Sequence, residues 1–242
     1  MSMSQKIDNK FWKVDLHLHT WKSFDAWGSP ARMLRTLLDQ GFDAVAVTDH
    51  AGLDGAYEMA DLAPPWFKVI IGQEIYTCEG EIIGLFLTRP INNASSIEKT
   101  IAAIHEQGGL VGIPHPVSRV ARSRIGSRAL IKISELVDYV EVVNGRNNHP
   151  EDDGFAFRLS KKLHLPCSAG SDAHSPSSVG NAYNLMEPFT DPSTFLRSLS
   201  MSVQISVKRT PLLVSAISFA LAIPRIILAA YSQLSDTGFF NI

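Results

Sequence analysis

The chain has 242 residues, 45% of them hydrophobic, which is enough to bury a full core and close to the usual size of a single α/β barrel. A formal net charge of -2 and a pI of about 6.4 exclude a global basic field for long nucleic-acid duplexes, so any nucleic-acid contact has to be local. Two cysteines, Cys78 and Cys167, exclude a disulfide framework, and the polar stretch 1–10 holds no apolar signal region; together they point to a reducing cytoplasm.

After a polar extension over 1–11, short apolar strand-like runs are expected at Lys13–Leu16, Ala44–Thr48, Lys68–Ile71, Ile82–Leu87, Leu110–Ile113, Tyr139–Val143 and Pro166–Ala169, with a weaker one near Val203–Ile205. Helical patterns fall between them at Pro30–Gln40, Ile97–Gln107, Ser134–Val137 and Phe155–Leu163. Repeated strand–helix alternation argues for a parallel sheet, open or closed into a barrel, in one domain over 12–207. The remainder, 208–242, is an apolar tail expected to be helical.

Polar residues interrupt this scaffold in a pattern. His17 and His19, Asp49 and His50, Glu74, His115, Asn144, and Asp172 with His174 all come at or just after the ends of expected strands. In a parallel barrel those ends converge on one mouth, where catalytic groups are placed. His17-Leu18-His19 on an extended strand points both rings to one side, because side chains alternate with a period of two. Imidazole and carboxylate suit zinc, manganese and iron, so the pattern is that of a metallohydrolase. Asp15 and Asp49 adjoin histidines and are expected to orient imidazoles rather than to ligate. His105, His149 and His164 fall outside these patterns and are expected at the surface or at helix caps, and Cys167 is expected to be a small buried side chain.

The runs DLHLHTWKSFDAW (15–27), AVAVTDH (44–50), IGQEIYTCEGEIIGLFL (71–87), GIPHPVSRVARSR (112–124), VEVVNGR (140–146) and AGSDAHSPSSVG (169–180) resemble the PHP (polymerase and histidinol phosphatase) family of metal-dependent phosphoesterases. The resemblance implies a distorted seven-stranded β/α barrel, TIM-like, with two or three divalent cations. It implies one cation on His17, His19, Glu74 and Asp172, a second sharing Glu74 and taking His115, and a third on Asp25, His50 and His174. Glu74, Asp172 and His174 are the implied catalytic residues. Cations about 3.5–4 Å apart lower the pKa of a bridging water and bind phosphoryl oxygens, so a metal-bridging hydroxide attacks the ester. Glu81 stands where relatives carry a histidine ligand. As a ligand it favours a harder ion, manganese or magnesium over zinc; the alternative is a solvated strand start.

Substrate recognition is expected after His115. The segment 116–124 carries Arg119, Arg122 and Arg124, and no acid occurs between Gln107 and Ser134. Guanidinium groups bind phosphate oxygens bidentately, and Arg119 and Arg122 fit a family HP-x-x-R-x-x-R pattern. Without the adjacent metal motif the segment would read as an ordinary solvated basic loop. Asn144 and Arg146 are candidates for a further contact. In the tail, 211–231 is about as long as a membrane span, but Pro224 and Arg225 interrupt it. Helices packed on the barrel are expected there, ahead of an interfacial membrane helix or an oligomer contact.

These features favour a hydrolase acting on a small phosphorylated molecule, a nucleotide bisphosphate or the 5′ end of a short oligonucleotide. A metabolite phosphomonoesterase of the histidinol-phosphate type is the alternative enzyme, and a non-catalytic metal-binding barrel the alternative outside catalysis.

Overall fold

Runs such as Ala44–Val47, Leu110–Ile113 and Cys167–Gly170 are buried along their whole length, as strands covered on both faces must be. They belong to one nine-stranded sheet in a computed structural model that describes residues 11–211 apart from 94, 120 and 122, together with residue 220. Arg122 and nearly all of the segment 211–231 therefore lie outside the described residues. The strands are β1 (Trp12–Leu18), β2 (Ala44–Val47), β3 (Lys68–Thr77), β4 (Gly80–Leu85), β5 (Leu110–Ile113), β6 (Tyr139–Asn144), β7 (Cys167–Gly170), β8 (Ala182–Met186) and β9 (Val203–Ser206), ordered β7-β6-β5-β4-β3-β2-β1-β8-β9.

Leu18 bridges in parallel to Ala173, and Asp172 donates its N–H to the His17 carbonyl at 2.8 Å, so the chain leaving β7 closes back onto β1. The first seven strands thus form the expected distorted, nearly closed α/β barrel, and β8 and β9 extend it antiparallel on the other side of β1. The distortion has a local cause. Only Cys78 and Glu79 separate β3 from β4, a connection that allows a hairpin but not the crossover of roughly a dozen residues that parallel pairing needs. Hence β4 runs antiparallel to both β3 and β5, and the wholly parallel sheet expected from the alternation is corrected there. The hairpin also carries β3 on to Thr77, beyond the expected Ile71, so Glu74 lies inside the strand.

Helix α1 (Pro30–Asp39) starts at Ser29, whose hydroxyl accepts the Arg32 N–H, with Pro30 in the first turn and Met33, Leu34 and Leu37 turned inward. Helix α2 (Asp54–Leu62) follows β2. In α3 (Ile97–His105), Ser96 caps the start, and Ile97, Ile101 and Ile104 pack on Val111, Ile113 and Val140 of the sheet. Truncating Ile104 to alanine would cost about 2–5 kcal/mol. The chain continues through α4 (Ser127–Ile133), and the expected helix at Ser134–Val137 is a single 3-10 turn. Helix α5 (Pro150–Lys162) begins at Pro150 rather than Phe155, with Glu151, Asp152 and Asp153 at its positive end; α6 (Pro192–Ser200) starts in a capping box on Asp191. Among the described residues no helix is long and apolar enough to cross a membrane.

Candidate metal centre

The period of two along β1 brings His17 and His19 together, with their Nε2 atoms 3.0 Å apart. Glu74, on β3, places Oε2 at 3.2 Å from His17 Nε2 and 3.1 Å from His19 Nε2, and turns Oε1 toward His115 Nε2 at 3.2 Å. Asp172, just past β7, puts Oδ1 at 3.7 and 3.6 Å from the same two histidines. On the far side, Asp25 Oδ2 lies 2.8 Å from His174 Nε2 and 3.7 Å from His50 Nε2. Glu81 Oε2 stands 3.6 Å from His115 Nε2, and the residue is 4% exposed, which removes the reading of Glu81 as a solvated strand start.

These donors fall into four overlapping groups whose ligand atoms lie within 4.8 Å of one another: His19, Asp25, His50 and His174; His17, His115 and Asp172; His17, His19 and Glu74; His50, Glu74 and Glu81. Atoms bound to one cation at about 2.1 Å are themselves about 3.0–3.4 Å apart, which matches the shortest separations here. Asp25 Oδ1 and His115 Nδ1 are buried without a hydrogen-bond partner among the described residues. The donor set therefore fits divalent cations, and Glu74, facing histidines with both oxygens, has the placement of a bridging carboxylate.

The electrostatics point the same way. Burial works against the charge on Glu74, but His17 and hydrogen bonds from His115, His17 and His19 hold its carboxyl well below the ordinary range. Burial likewise opposes charge on His50 and His115, yet Asp25 and Glu74 raise the first to about 9, and Glu74 and Glu81 raise the second to about 9. His19 is driven the other way, to about 3, by burial and the neighbouring His174 and His50. A cavity with this many acids draws positive charge, whether protons or metal.

Two of the donors also sit on strained backbone. His115 (φ 27°) and Asp172 (φ 49°) occupy the left-handed region, which side chains other than glycine adopt at a cost of order 1–3 kcal/mol and which clusters at functional sites. Each is held by a bond from its own N–H: His115 to Glu141 Oε2 at 2.9 Å, and Asp172 to the His17 carbonyl.

The supporting residues differ from expectation. Asp15 accepts backbone N–H groups of His17 and Ser171, and Asp49 accepts from Thr20 and from the Ser23 hydroxyl, so neither touches an imidazole. Both are buried and fix backbone by accepting these N–H groups. Ser23 is the group that faces a ring, at 3.1 Å from His19 Nδ1. Sequence reasoning also passed over Tyr76, stacked on His50 with its hydroxyl 3.4 Å from Nε2, and Glu141, whose Oε1 is 3.1 Å from His17 Nδ1. An acid inside the apolar run Tyr139–Val143 was the available signal for Glu141.

All the donors except the fully buried His17 and His19 line a cavity of about 210 Å³, together with Tyr76, Ser118, Ala121, Ser123, Asn144, Arg146 and Asn147. Of the expected substrate residues, Arg146 is in it, 3.6 Å from Asp172 Oδ1, and Asn144 is too, with Nδ2 at 3.3 Å from Asp172 Oδ2. Arg119 is not in the cavity wall. Its Nε donates to Asp152 Oδ1 at 2.8 Å, its N–H to Oδ2 at 2.9 Å, and Glu151 lies 3.6 Å away. Arg124 is exposed and donates to the Ala121 carbonyl. His105, His149 and His164 lie outside the cavity; His105 faces Asp138 and His149 precedes α5.

The sequence matches the PHP domain over residues 15–171 and a PHP-associated region over 150–202. Two uncharacterized proteins of Methanocaldococcus jannaschii are similar to it: one is 31% identical over 206 residues, 81% of this chain and 82% of the relative, and the other 42% identical over 144 residues, 54% and 81% respectively. A two-domain protein of Bacteroides vulgatus containing a predicted PHP-like metal-dependent phosphoesterase shares the fold, with a TM-score of 0.66 at 16% identity, covering 82% of this chain and 66% of that one. The domain match runs from Asp15 through Ser171 and takes in seven of the nine donors, all but Asp172 and His174, which follow directly after it. The chain belongs to the PHP domain family.

Proposed function

We propose that this chain is a metal-dependent phosphoric ester hydrolase whose cations are held by His17, His19, Asp25, His50, Glu74, Glu81, His115, Asp172 and His174. The observation that carries the reading is the convergence of these nine side chains, seven of which line one cavity of about 210 Å³ with Arg146 while the buried His17 and His19 complete the donor groups. Bound there, divalent ions would supply a water of lowered pKa and neutralise charge on the phosphoryl group. The protein's own contribution is orientation. Asn144 steadies Asp172, Ser23 steadies His19, and Arg146 offers a guanidinium to a phosphoryl oxygen from the cavity wall.

For the substrate, a nucleotide bisphosphate or the 5′ end of a short oligonucleotide is supported by Ser118, Ala121 and Ser123, which bring the basic segment to the cavity. The outward placement of Arg119 and Arg124 favours the second reading, a phosphomonoester of the histidinol-phosphate type, because Arg146 is then the cation left to meet substrate among the described residues. A cytoplasmic location is part of the proposal and rests on cysteine usage, since the two residues Cys78 and Cys167 are too few for a disulfide framework. The test is phosphate release from nucleotides, bisphosphates, 5′-phosphorylated oligonucleotides and histidinol phosphate, with manganese, zinc, iron or magnesium supplied. Turnover of the bisphosphates and oligonucleotides is expected; turnover of histidinol phosphate alone selects the second reading, and no release from any ester contradicts both.

A further inference from the structure

Glu141 is 3% exposed in the middle of an apolar strand, a position a carboxylate holds only when its oxygens are bonded. Its two oxygens have different partners. Oε2 accepts the His115 N–H at 2.9 Å and the Asn144 Nδ2 hydrogen at 2.9 Å, while Oε1 lies 3.1 Å from His17 Nδ1. Asn144 cannot turn its amide round, because its Oδ1 accepts the Arg146 N–H at 2.8 Å. The approach of the ring to the acid depends on Gly170, where any Cβ would collide with both His17 Cβ and Glu141 Oε1.

A carboxylate has only acceptors, so the hydrogen in the His17 contact belongs to Nδ1. That leaves the Nε2 lone pair directed at the centre, where His19 Nε2 and Glu74 Oε2 lie at 3.0 and 3.2 Å. We propose that Glu141 is a positioning residue that fixes the tautomer of His17, through a chain of bonds running from the Arg146 N–H to Asn144, to Glu141 and to the imidazole, and so makes His17 able to ligate a cation. The proposal rests on the metal-binding reading above and concerns a residue outside the ligand set.

The wiring makes an unusual prediction. In Glu141→Gln the amide oxygen must take over the His115 and Asn144 hydrogens, since the opposite flip would set donors against donors. The amide NH₂ then points at His17 Nδ1, which has to accept, and the ring hydrogen moves to Nε2, where it blocks the cation. Glu141→Ala removes the constraint and leaves His17 free to adopt either tautomer. The isosteric change should therefore damage metal binding more than the truncation, while damaging the fold less.

The experiment measures zinc affinity by chelator competition, and the melting temperature of the chelator-stripped protein, for wild type, Glu141→Gln and Glu141→Ala. Glu141→Ala is expected to bind zinc about 10–100-fold more weakly than wild type, the usual effect of losing a partner that orients a metal-bound histidine. Glu141→Gln is expected to bind more weakly still, yet to melt above Glu141→Ala. Glu141→Gln binding zinc more tightly than Glu141→Ala would overturn the tautomer assignment, since a purely structural acid gives that order. Should Glu141→Gln not fold, ¹⁵N NMR of zinc-loaded wild type decides: hydrogen on Nδ1 with metal on Nε2 of His17 is expected, and the reverse overturns the proposal. Wild type that binds no zinc, manganese or iron would instead contradict the metal-binding reading itself.

Discussion

The donor cluster and the basic segment 116–124 share a cavity wall, but the barrel fixes the first far more firmly than the second. His17, Glu74 and Glu81 project from strands inside the sheet, His19 follows β1 directly with its N–H bonded to the Ala173 carbonyl, and His115 and Asp172 are pinned by their own N–H groups despite strained φ angles. In the basic segment, Ser118, Ala121 and Ser123 face the cavity while Arg119 turns to Asp152, a buried acid at the start of α5. A short ligand on a strand has one direction to point, set by the pleat. A long cation on a loop goes to the nearest carboxylate without a partner, and here that carboxylate belongs to a helix. Spacing therefore reports ligands more faithfully than it reports phosphate-binding arginines.

The widest separation between the two regions is expected from the ligands. Asp172→Ala or His17→Ala should lose bound metal and reduce kcat/KM by about 10²–10³-fold or more, the scale of one electrostatic contact to a transition state, and Glu74→Gln should match them because an amide bridges cations poorly. Elemental analysis alongside a phosphate-release assay checks this, and activity without metal in His17→Ala would break the contrast. Arg146→Ala comes next. It should keep its metal and lose about 1.5–3 kcal/mol in kcat/KM on every phosphoester, since the guanidinium stands beside the reacting position.

Arg119 is expected to have a smaller and non-selective effect. Replacing it with alanine leaves Asp152 buried without its cation, which should lower stability by about 1 kcal/mol, read as a shift of a few degrees in Tm, with equal small changes on aryl phosphate and bisphosphate. A loss of about 1.5–3 kcal/mol confined to the bisphosphate would show instead that Arg119 leaves Asp152 to hold a second phosphate. Arg122→Ala is the matching test for the arginine that follows Ala121, and a bisphosphate-selective loss there would sharpen the contrast between neighbouring arginines.

The gentlest effect concerns pH. His50 and His115 are raised from 6.5 to about 9, so in chelator-stripped protein their charge contributes stability that is complete below pH 6.5 and is lost as pH rises through about 9. Metal needs the neutral rings, so zinc affinity should rise with pH across that window with release of protons. Calorimetry in buffers of different ionisation enthalpy measures the release; uptake of protons would contradict the assignment.

Much of this was legible in the sequence for physical reasons that can be stated. The His-x-His pair, Asp172 and His174 follow from the alternation of short strands, and α1 and α3 from serine caps ahead of inward-facing apolar residues. β8 was missed because buried Asn184, which bonds the Ala169 and Val14 backbones, breaks its apolar pattern. The antiparallel turn of β4 was missed because the two-residue link Cys78-Glu79 lacks the usual asparagine–glycine or aspartate–glycine signature. Partners such as Glu141 with His17 are 124 positions apart in the chain, and no local pattern pairs them. The direction of Arg119 depends likewise on Asp152, 33 positions away.

The central claim is that the nine converging side chains hold catalytic metal, and the most direct measurement is the metal content of the purified wild-type protein against its phosphate release. Two or three equivalents of divalent ion per chain are expected, with hydrolysis that disappears on chelation and returns on adding metal back. Fewer than one equivalent, or hydrolysis that survives complete chelation, would contradict the account.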